Sequence, residues 1–245
     1  MKTLAVILPA AGKSTRFGDR SVKKQFALLD GRPVWVHSAE RFVGREDVRQ
    51  IVLVVAPEDE EYFREKFGST AALLGVEVVV GGAERCHSVE QALKKIRRDV
   101  DLVCIHDAAR PCLASTWIDK VIEVAGEKGA AILAVPVTQT IKRVSSDGKI
   151  ETTVPRTGLW EAQTPQVFRL DWILDAYARR GNFIPTDDAQ VLEQAGYPVY
   201  VVPGSPLNIK IATRDDLRLA EQILPLLRRP VTGPGHPFAE DQFWR

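Results

Sequence analysis

The sequence lacks the features that define membrane, secreted and nucleic-acid-binding proteins. It has no apolar run near the length of about 20 residues that a membrane-spanning helix needs, and its N-terminus does not show the basic, apolar, small-residue order of a secretory signal. Lys and Arg (33) nearly equal Asp and Glu (32), so the formal net charge of +1 provides no overall field to hold a nucleic-acid backbone or an anionic membrane. We therefore expect a cytosolic protein without nucleic-acid or membrane partners.

Cysteine is also scarce. Cys86, Cys104 and Cys112 are odd in number, and no pair has the CxxC spacing of a zinc site, which argues against a disulfide framework or a structural metal. We expect reduced, mostly buried thiols. What the chain does have is a hydrophobic content of 45% over 245 residues, enough to bury a sizeable core in one large domain or in a domain with a small appendage.

Short apolar runs alternate with segments of helical spacing through the first half of the chain. The runs predict strands at 3–8, 50–56, 76–80, 101–106 and 130–135, and the segments between them predict helices at 58–67, 84–96 and 115–127. This alternation predicts an α/β fold with a Rossmann-like, mostly parallel sheet and helices on both faces.

A β-hairpin arm interrupts this pattern at about 137–155. Residues 138–154 alternate with a period of two on either side of Asp147-Gly148, a dipeptide suited to positive φ in a tight hairpin. Ile141, Val144 and Ile150 would be poorly covered within one subunit, so the arm either packs on a second subunit or folds back on its own domain.

The rest of the chain predicts three more helices, at 171–179, 187–194 and 214–227, and two more strands, at 198–202 and 208–211. After 229 the chain is punctuated by proline and glycine and cannot continue a helix. The predicted organisation is a domain over 1–228 that includes the arm, followed by a C-terminal tail over 229–245.

The loop after the first strand combines small residues with positive charge, a composition that suits a polyanionic ligand at the carboxyl edge of the sheet. Its cations are Lys13, Arg16, Lys23 and Lys24. It is not a P-loop, because Ile7 stands where that motif needs its first glycine, and Gly12 and Gly18 have the wrong separation for a dinucleotide fingerprint. Taken alone, these residues favour a solvated basic loop, because a single turn of small residues is common.

Several motifs taken together resemble the sugar-phosphate nucleotidyltransferases, and among them the 2-C-methyl-D-erythritol 4-phosphate cytidylyltransferase family. They are Arg16-Phe17 and Lys24-Gln25 after the first strand, the loop 81–88, the hexapeptide 106–111, and the segments 155–166, 186–189 and 208–210. The resemblance covers almost all of residues 4–224. Relatives often carry glycine at Ser14 and methionine at Phe17, and some carry an acidic residue at Ala83.

The resemblance implies a role for particular residues. The expected nucleotide-binding residues are Pro9, Ala10, Ala11, Gly12, Gly82, Ser88 and Asp107; the expected substrate-binding residues are Arg110, Thr140 and Thr186; and the expected catalytic residues are Arg16, Lys24, Arg156 and Lys210. Mg²⁺ is the implied cofactor, with Asp107 as a candidate ligand and the CTP phosphates as the alternative. Read without the resemblance, Asp107 and Arg110 suit a structural ion pair, and Lys210 suits a charge that protects a strand edge from aggregation. Ser88, Thr186 and Asp187 suit helix caps.

The implied function is transfer of CMP from CTP to 2-C-methyl-D-erythritol 4-phosphate, giving 4-diphosphocytidyl-2-C-methyl-D-erythritol and pyrophosphate, in non-mevalonate isoprenoid precursor biosynthesis. The implied assembly is a homodimer formed through the arm. A ribitol 5-phosphate cytidylyltransferase remains the nearest alternative. A nucleotide sensor without turnover is disfavoured because it needs no charge aimed at a second phosphate, and a nicotinamide oxidoreductase lacks its fingerprint.

Overall fold

The computed structural model describes residues 2–12, 14–15, 17 and 23–228. The strands in chain order are β1 (Leu4–Pro9), β2 (Leu28–Leu29), β3 (Arg32–Pro33), β4 (Val48–Val55), β5 (Val76–Val80), β6 (Leu102–Ile105), β7 (Ala130–Pro136), β8 (Ile141–Val144), β9 (Ile150–Val154), β10 (Trp160–Arg169) and β11 (Tyr200–Pro203). The helices are α1 (Val34–Ala39), α2 (Glu60–Leu73), α3 (Arg85–Leu93), α4 (Ser115–Lys128), α5 (Leu170–Arg179), α6 (Asp188–Ala195) and α7 (Arg214–Arg228), with a 3₁₀ turn at Pro57–Asp59.

Seven of the strands form one central sheet in the order β11-β7-β10-β6-β1-β4-β5. All neighbours are parallel except β10, which runs antiparallel between β6 and β7. The chain moves outward from β1 through β4 to β5 and then returns to place β6 on the other side of β1. The carboxyl ends of β1 and β6 therefore form a topological switch point, where open α/β sheets bind ligands.

Helices cover both faces of this sheet. Leu4, Val6 and Leu8 of β1 pack into a core with α1, α2 and α4, whereas Ala5 and Ile7 pack into a second core with α3, α5 and α6. A strand buried on both faces reads as a continuous apolar run, which is why β1 can be recognised in the sequence. The predicted α/β fold with a mostly parallel sheet is confirmed.

Local sequence explains where α6 begins and ends. The Asp187 side chain accepts a hydrogen bond from the Gln190 N–H at 3.0 Å, so the predicted helix cap at Asp187 is confirmed. The helix stops at Gly196, which has the left-handed φ of 87° that favours glycine. This cap fixes the backbone conformation of residues 186–188, which belong to one of the motifs identified in the sequence.

The predicted strand at 208–211 is wrong. These residues form a loop in which the Asn208 N–H donates to the Ser205 carbonyl at 3.0 Å and the Ile211 N–H donates to the Ala109 carbonyl at 2.8 Å. One hydrogen bond within a turn and one backbone hydrogen bond to the loop after β6 do not form the ladder of hydrogen bonds that defines a strand. The sequence reading also missed α1, the small β2–β3 hairpin and the whole of β10.

The predicted hairpin arm is present as a separate two-stranded sheet of β8 and β9. Its turn closes through a hydrogen bond of 3.0 Å from the Gly148 N–H to the Ser145 carbonyl, and only Gly148 of the predicted Asp147-Gly148 pair has positive φ, at 86°. Val144 and Ile150 are 50% and 57% exposed. Their apolar surfaces are thus largely uncovered within this chain.

Helix α7 ends at Arg228, and the predicted tail over 229–245 lies outside the described residues. Within the part of the chain that the structure describes, no helix combines the length and the apolar character that crossing a bilayer demands.

Candidate active site

A cavity of about 330 Å³ opens at the carboxyl ends of β1 and β6, the switch point of the sheet. Its lining comes from the loop after β1, the start of α3, the end of β6 and the segment before α7. The lining residues are Pro9, Ala10, Ala11, Gly12, Thr15, Lys24, Gln25, Ala83, Glu84, Arg85, Ser88, Asp107, Ala109 and Lys210. The structure therefore brings together six of the seven predicted nucleotide-binding residues with Lys24 and Lys210.

The loop after β1 is held in shape by buried polar contacts. The Gln25 side chain, 1% exposed, donates from Nε2 to the Ala10 carbonyl at 2.6 Å and accepts from Ser14 Oγ at 3.2 Å. Ser14 Oγ in turn accepts from the Lys24 N–H at 3.1 Å. Ser14 has a φ of 54°, the left-handed conformation that glycine adopts most readily.

Lys24 lies alongside the small residues of this loop. A Cβ built on Gly12 would meet Lys24 Cε at 4.0 Å, so the aliphatic stem of the lysine passes close to the loop backbone. Lys23, which the sequence analysis grouped with the cations of the loop, instead pairs with Asp59 at 2.7 Å and Glu58 at 2.9 Å and does not line the cavity. Arg16, a predicted catalytic residue, lies outside the described residues, as does Lys13.

A chain of hydrogen bonds fixes the backbone at the end of β6. The Asp107 N–H donates to Thr164 Oγ1 at 3.0 Å, and Thr164 Oγ1 lies 3.1 Å from His106 Nδ1. His106 Nε2 lies 3.0 Å from the Arg110 carbonyl, which can only accept, so Nε2 carries the proton and the threonine hydroxyl donates to Nδ1. Burial lowers the pKa of His106 to about 4, which keeps the ring neutral and the chain of hydrogen bonds intact at neutral pH.

The Asp107 carboxylate projects into the cavity and is surrounded by cations. Its Oδ2 lies 2.8 Å from Lys210 Nζ and 3.7 Å from Arg110 Nε, and its Oδ1 lies 3.3 Å from Arg85 Nε. Burial by itself would raise the pKa of Asp107, but these three cations outweigh it and hold the pKa well below the ordinary value of 3.8. Asp107 is therefore ionised throughout the physiological range.

The position of Lys210 is set by Asn208, two residues earlier. The fully buried Asn208 side chain donates to the Thr164 carbonyl at 2.9 Å and to Gln163 Oε1 at 3.2 Å, which anchors the loop to β10. The Asn208 carbonyl accepts from Arg110 Nη1 at 2.7 Å. Arg110 thus has a structural role in this loop and lies beside the cavity rather than in its lining.

The double-glycine segment before α3 is shaped by Ser88. Ser88 is 1% exposed, and its Oγ accepts from the Gly82 N–H at 3.2 Å. A Cβ on Gly81 would lie 2.5 Å from Ser88 Oγ, and a Cβ on Gly82 would lie 2.6 Å from His87 Cβ, so both positions require glycine. Ser88 touches the cavity and also holds the loop, whereas Gly82 itself does not line the cavity.

Three other predicted site residues, Thr140, Arg156 and Thr186, do not line this cavity. Thr140 and Arg156 are exposed at the base of the arm, where Arg156 donates to the Thr138 carbonyl. Thr186 is exposed and donates from its N–H to Gln190 Oε1 at 2.8 Å. Thr140 and Arg156 lie apart from the cavity because β8 and β9, which they flank, pair only with each other and not with the central sheet.

Metal ligands are sparse in this region. No group of three or more His, Cys, Asp or Glu side chains with metal-binding geometry occurs among the described residues. Asp107 and Glu84 are the carboxylates that line the cavity, and Asp107 is ionised. Mg²⁺ commonly uses one or two carboxylates and takes its other ligands from substrate phosphates and water, so this donor set fits Mg²⁺ brought by a nucleotide and not a metal held by protein alone.

A switch-point cavity with a small-residue loop, a lysine beside that loop and an ionised aspartate next to a second lysine defines a nucleotidyltransferase of the α/β class. Residues 4–225 match the family described as 2-C-methyl-D-erythritol 4-phosphate cytidylyltransferase, and the chain belongs to this family.

Individual relatives agree with this assignment. The chain is 47% identical over 233 residues to the 2-C-methyl-D-erythritol 4-phosphate cytidylyltransferase of Rhodopirellula baltica, covering 91% of this chain and 95% of the relative. Among solved structures, a 4-diphosphocytidyl-2C-methyl-D-erythritol synthase is 32% identical with a TM-score of 0.77, covering 91% of this chain and 99% of its own. The 2-C-methyl-D-erythritol 4-phosphate cytidylyltransferase of Thermus thermophilus is 31% identical with a TM-score of 0.73, and the match covers 92% of this chain and 100% of that structure.

Four residues at the site were not predicted from the sequence. Gln25, Arg85, Thr164 and Asn208 each lie within a quoted motif but were given no role. Gln25 holds the Ala10 carbonyl, Thr164 holds the Asp107 N–H, Arg85 contacts the Asp107 carboxylate, and Asn208 anchors the loop that carries Lys210. The available signal was a polar residue within a motif next to buried apolar strands, which indicates a buried hydrogen-bonding role.

Proposed function

We propose that this protein transfers the cytidylyl group of CTP to 2-C-methyl-D-erythritol 4-phosphate, forming 4-diphosphocytidyl-2-C-methyl-D-erythritol and pyrophosphate in non-mevalonate isoprenoid precursor biosynthesis. The observation that carries the proposal is the convergence of Lys24, Asp107 and Lys210 on one cavity at the switch point of a chain from this family. Two separated cations suit a reaction in which two phosphate groups meet.

In this mechanism the cavity binds CTP through the loop after β1. The small residues Pro9 to Gly12 let backbone amides approach the phosphates, and the stem of Lys24 passes this loop. Gly82 and Ser88 shape the neighbouring wall, where we place the cytosine base. Arg16 completes the predicted set of phosphate-binding cations.

The chemical step needs no general base, because the sugar-alcohol phosphate is already an anion. One of its oxygens attacks the α-phosphorus of CTP, the bond from that phosphorus to the bridging oxygen breaks, and pyrophosphate leaves with the electron pair. Lys24 and Arg16 stabilise the charge that develops at the triphosphate, while Lys210 and Arg156 align the attacking phosphate. No nucleophilic side chain and no covalent enzyme intermediate take part.

Mg²⁺ is the proposed cofactor, held by Asp107 together with the CTP phosphates. When bound, it would supply positive charge that offsets the negative charge of the triphosphate. Asp107 supports this proposal because its carboxylate is ionised and faces the cavity.

We further propose a homodimer in which the arm of one subunit completes the site of the other. In this dimer, Thr140 and Arg156 of one subunit contact the sugar phosphate that is bound at the site of the other subunit. Arg110 and Thr186 also contact the sugar phosphate. Two features support this assembly: the exposed apolar side chains of the arm at Val144 and Ile150, and the separation of the arm from the central sheet. The cytosolic location expected from the sequence stays a prediction.

Pyrophosphate release from CTP tests the function directly, with 2-C-methyl-D-erythritol 4-phosphate and ribitol 5-phosphate compared side by side. We expect kcat/KM to be higher with the methylerythritol substrate. A preference for ribitol 5-phosphate would replace the proposed substrate, and CTP binding without pyrophosphate release with either acceptor would favour a sensor. Omission of Mg²⁺ followed by its return tests the cofactor in the same assay.

A further inference from the structure

One guanidinium group joins two buried carboxylates from distant parts of the chain. Arg85, the first residue of α3, lies with Nε 3.3 Å from Asp107 Oδ1 and with Nη1 2.7 Å from Asp188 Oδ2. Asp107 follows β6 and lines the cavity, whereas Asp188 is the first residue of α6 and is fully buried outside that lining. Arg85 therefore connects the nucleotide cavity with the start of α6.

The surroundings of Asp188 show that it is oriented towards Arg85. Its Oδ1 accepts from the Tyr177 hydroxyl at 2.6 Å, and its backbone N–H donates to Gln166 Oε1 at 3.1 Å. With Oδ1 occupied, Oδ2 faces the guanidinium. Buried charge networks of this kind add little net stability, since the desolvation cost offsets the attraction. Stability alone is thus a poor explanation for a network at the edge of a cavity.

The cations around Asp107 are divided unequally between its two oxygens. Lys210 and Arg110 both lie on the side of Oδ2, at 2.8 Å and 3.7 Å, whereas Arg85 lies on the side of Oδ1. If Arg85 were absent, both remaining cations would attract the carboxylate from one side. Arg85 is the group that balances them.

We propose that Arg85 is a positioning residue for Asp107 and that Asp188 orients Arg85 for this task. Arg85 keeps the carboxylate aimed into the cavity when Lys210 turns from Asp107 to the incoming sugar phosphate. A lysine cannot replace it, because a single ammonium lacks the planar fork that reaches both carboxylates at once. The inference rests on the proposed function, in which Asp107 faces the nucleotide and its metal.

A double-mutant cycle separates this role from a purely structural one. Arg85→Gln leaves two buried carboxylates without their shared partner, so we expect it to lower both the melting temperature and kcat/KM for CTP. Asp188→Asn keeps the shape of the side chain but removes its charge, so it should orient Arg85 less firmly, and we expect kcat/KM for CTP to fall about threefold, less than in Arg85→Gln. The combined variant Arg85→Gln/Asp188→Asn no longer has an unpaired charge at residue 188.

The combined variant decides the question. We expect its melting temperature to recover towards wild type while kcat/KM for CTP remains at least about tenfold low, because Asp107 still lacks its Oδ1 partner. Recovery of kcat/KM in step with the melting temperature would show that Arg85 is only structural. CTP affinity without acceptor, measured by calorimetry, gives a readout that does not depend on turnover.

Arg85→Lys provides a second test if Arg85→Gln does not fold. It keeps the charge, so we expect a folded protein with a reduced kcat/KM for CTP and a nearly unchanged KM for the sugar phosphate. Wild-type kcat/KM for CTP in Arg85→Lys would overturn the inference. Failure of the proposed function is distinguishable, because the wild-type protein would then release no pyrophosphate with either acceptor, whatever the variants do.

Discussion

The neutral His106 ring makes the stability of this protein depend on pH in a defined window. In the folded state burial lowers its pKa to about 4, whereas in the unfolded chain it returns to the ordinary 6.5. Between these values the unfolded state binds more protons than the folded state, so the free energy of unfolding falls as pH decreases. The contribution is fully present above pH 6.5 and is lost as the pH falls towards 4.

The size of the effect follows from the same two values. Between pH 7 and pH 5, this single group should lower the free energy of unfolding by about 2 kcal/mol. The two charged neighbours act in opposite directions, since Asp107 raises the pKa of the ring and Arg110 lowers it. Asp107 itself does not contribute in this window, because a carboxyl with a depressed folded pKa loses its stabilising effect only below its unfolded value of 3.8.

Urea denaturation at pH 5, 6 and 7 measures this slope, and His106→Gln is the matched control. Glutamine offers both a donor and an acceptor but does not titrate, so the variant should be less stable at pH 7 and should show a flatter slope down to pH 5. An equal loss of stability in wild type and His106→Gln between pH 7 and pH 5 would contradict the role given to His106. Loss only below pH 4 would point to the carboxylates instead.

Four further predictions concern the site and the arm. Lys24→Ala should lower turnover about a hundredfold, worth about 3 kcal/mol, with little change in melting temperature, and near wild-type turnover would contradict its role. Arg156→Ala should chiefly raise KM for the sugar phosphate; a loss confined to CTP affinity would count against it. Ser14→Gly should keep the free energy of unfolding within about 1 kcal/mol, because relief of left-handed strain offsets the lost hydrogen bonds; urea denaturation checks this. Ile150→Asp should leave the monomer folded but shift sedimentation towards the monomer, and an unchanged sedimentation profile would exclude the arm as the interface.

The sequence identified the strands that form apolar runs. Strands β1, β4, β6 and β7 are largely buried, whereas β5 is a valine-rich edge strand that is only partly buried, and each was predicted to within a few residues. Strand β10 was missed because it carries polar residues at its centre. Gln163, Thr164 and Gln166 are all buried and all bonded to distant groups, so their polarity gave the appearance of a loop.

The opposite error occurred at 208–211. Asn208-Ile209-Lys210-Ile211 alternates polar and apolar residues like a strand, yet it forms a loop in which Asn208 and Ile211 are buried and Lys210 faces the cavity. The alternation of residue types therefore did not show which side chains are buried, and it does not show that a neighbouring strand is available to pair with. Only the position of the loop relative to β10 and the segment after β6 decides that.

The two halves of the site differ in how far local sequence determines them. Gly12 and Asp107 follow closely on the ends of β1 and β6, so the order of strands is sufficient to bring them to one edge. Arg85 and Asp188 are 103 positions apart by the difference of their numbers, and their contact depends on how α3 and α6 pack on the same face. No periodicity in either segment carries that information. A sequence motif can therefore identify the residues that surround a reaction. The charges that orient the Asp107 carboxylate are instead placed by helix packing, so the positioning role of Arg85 can be inferred only from the folded chain.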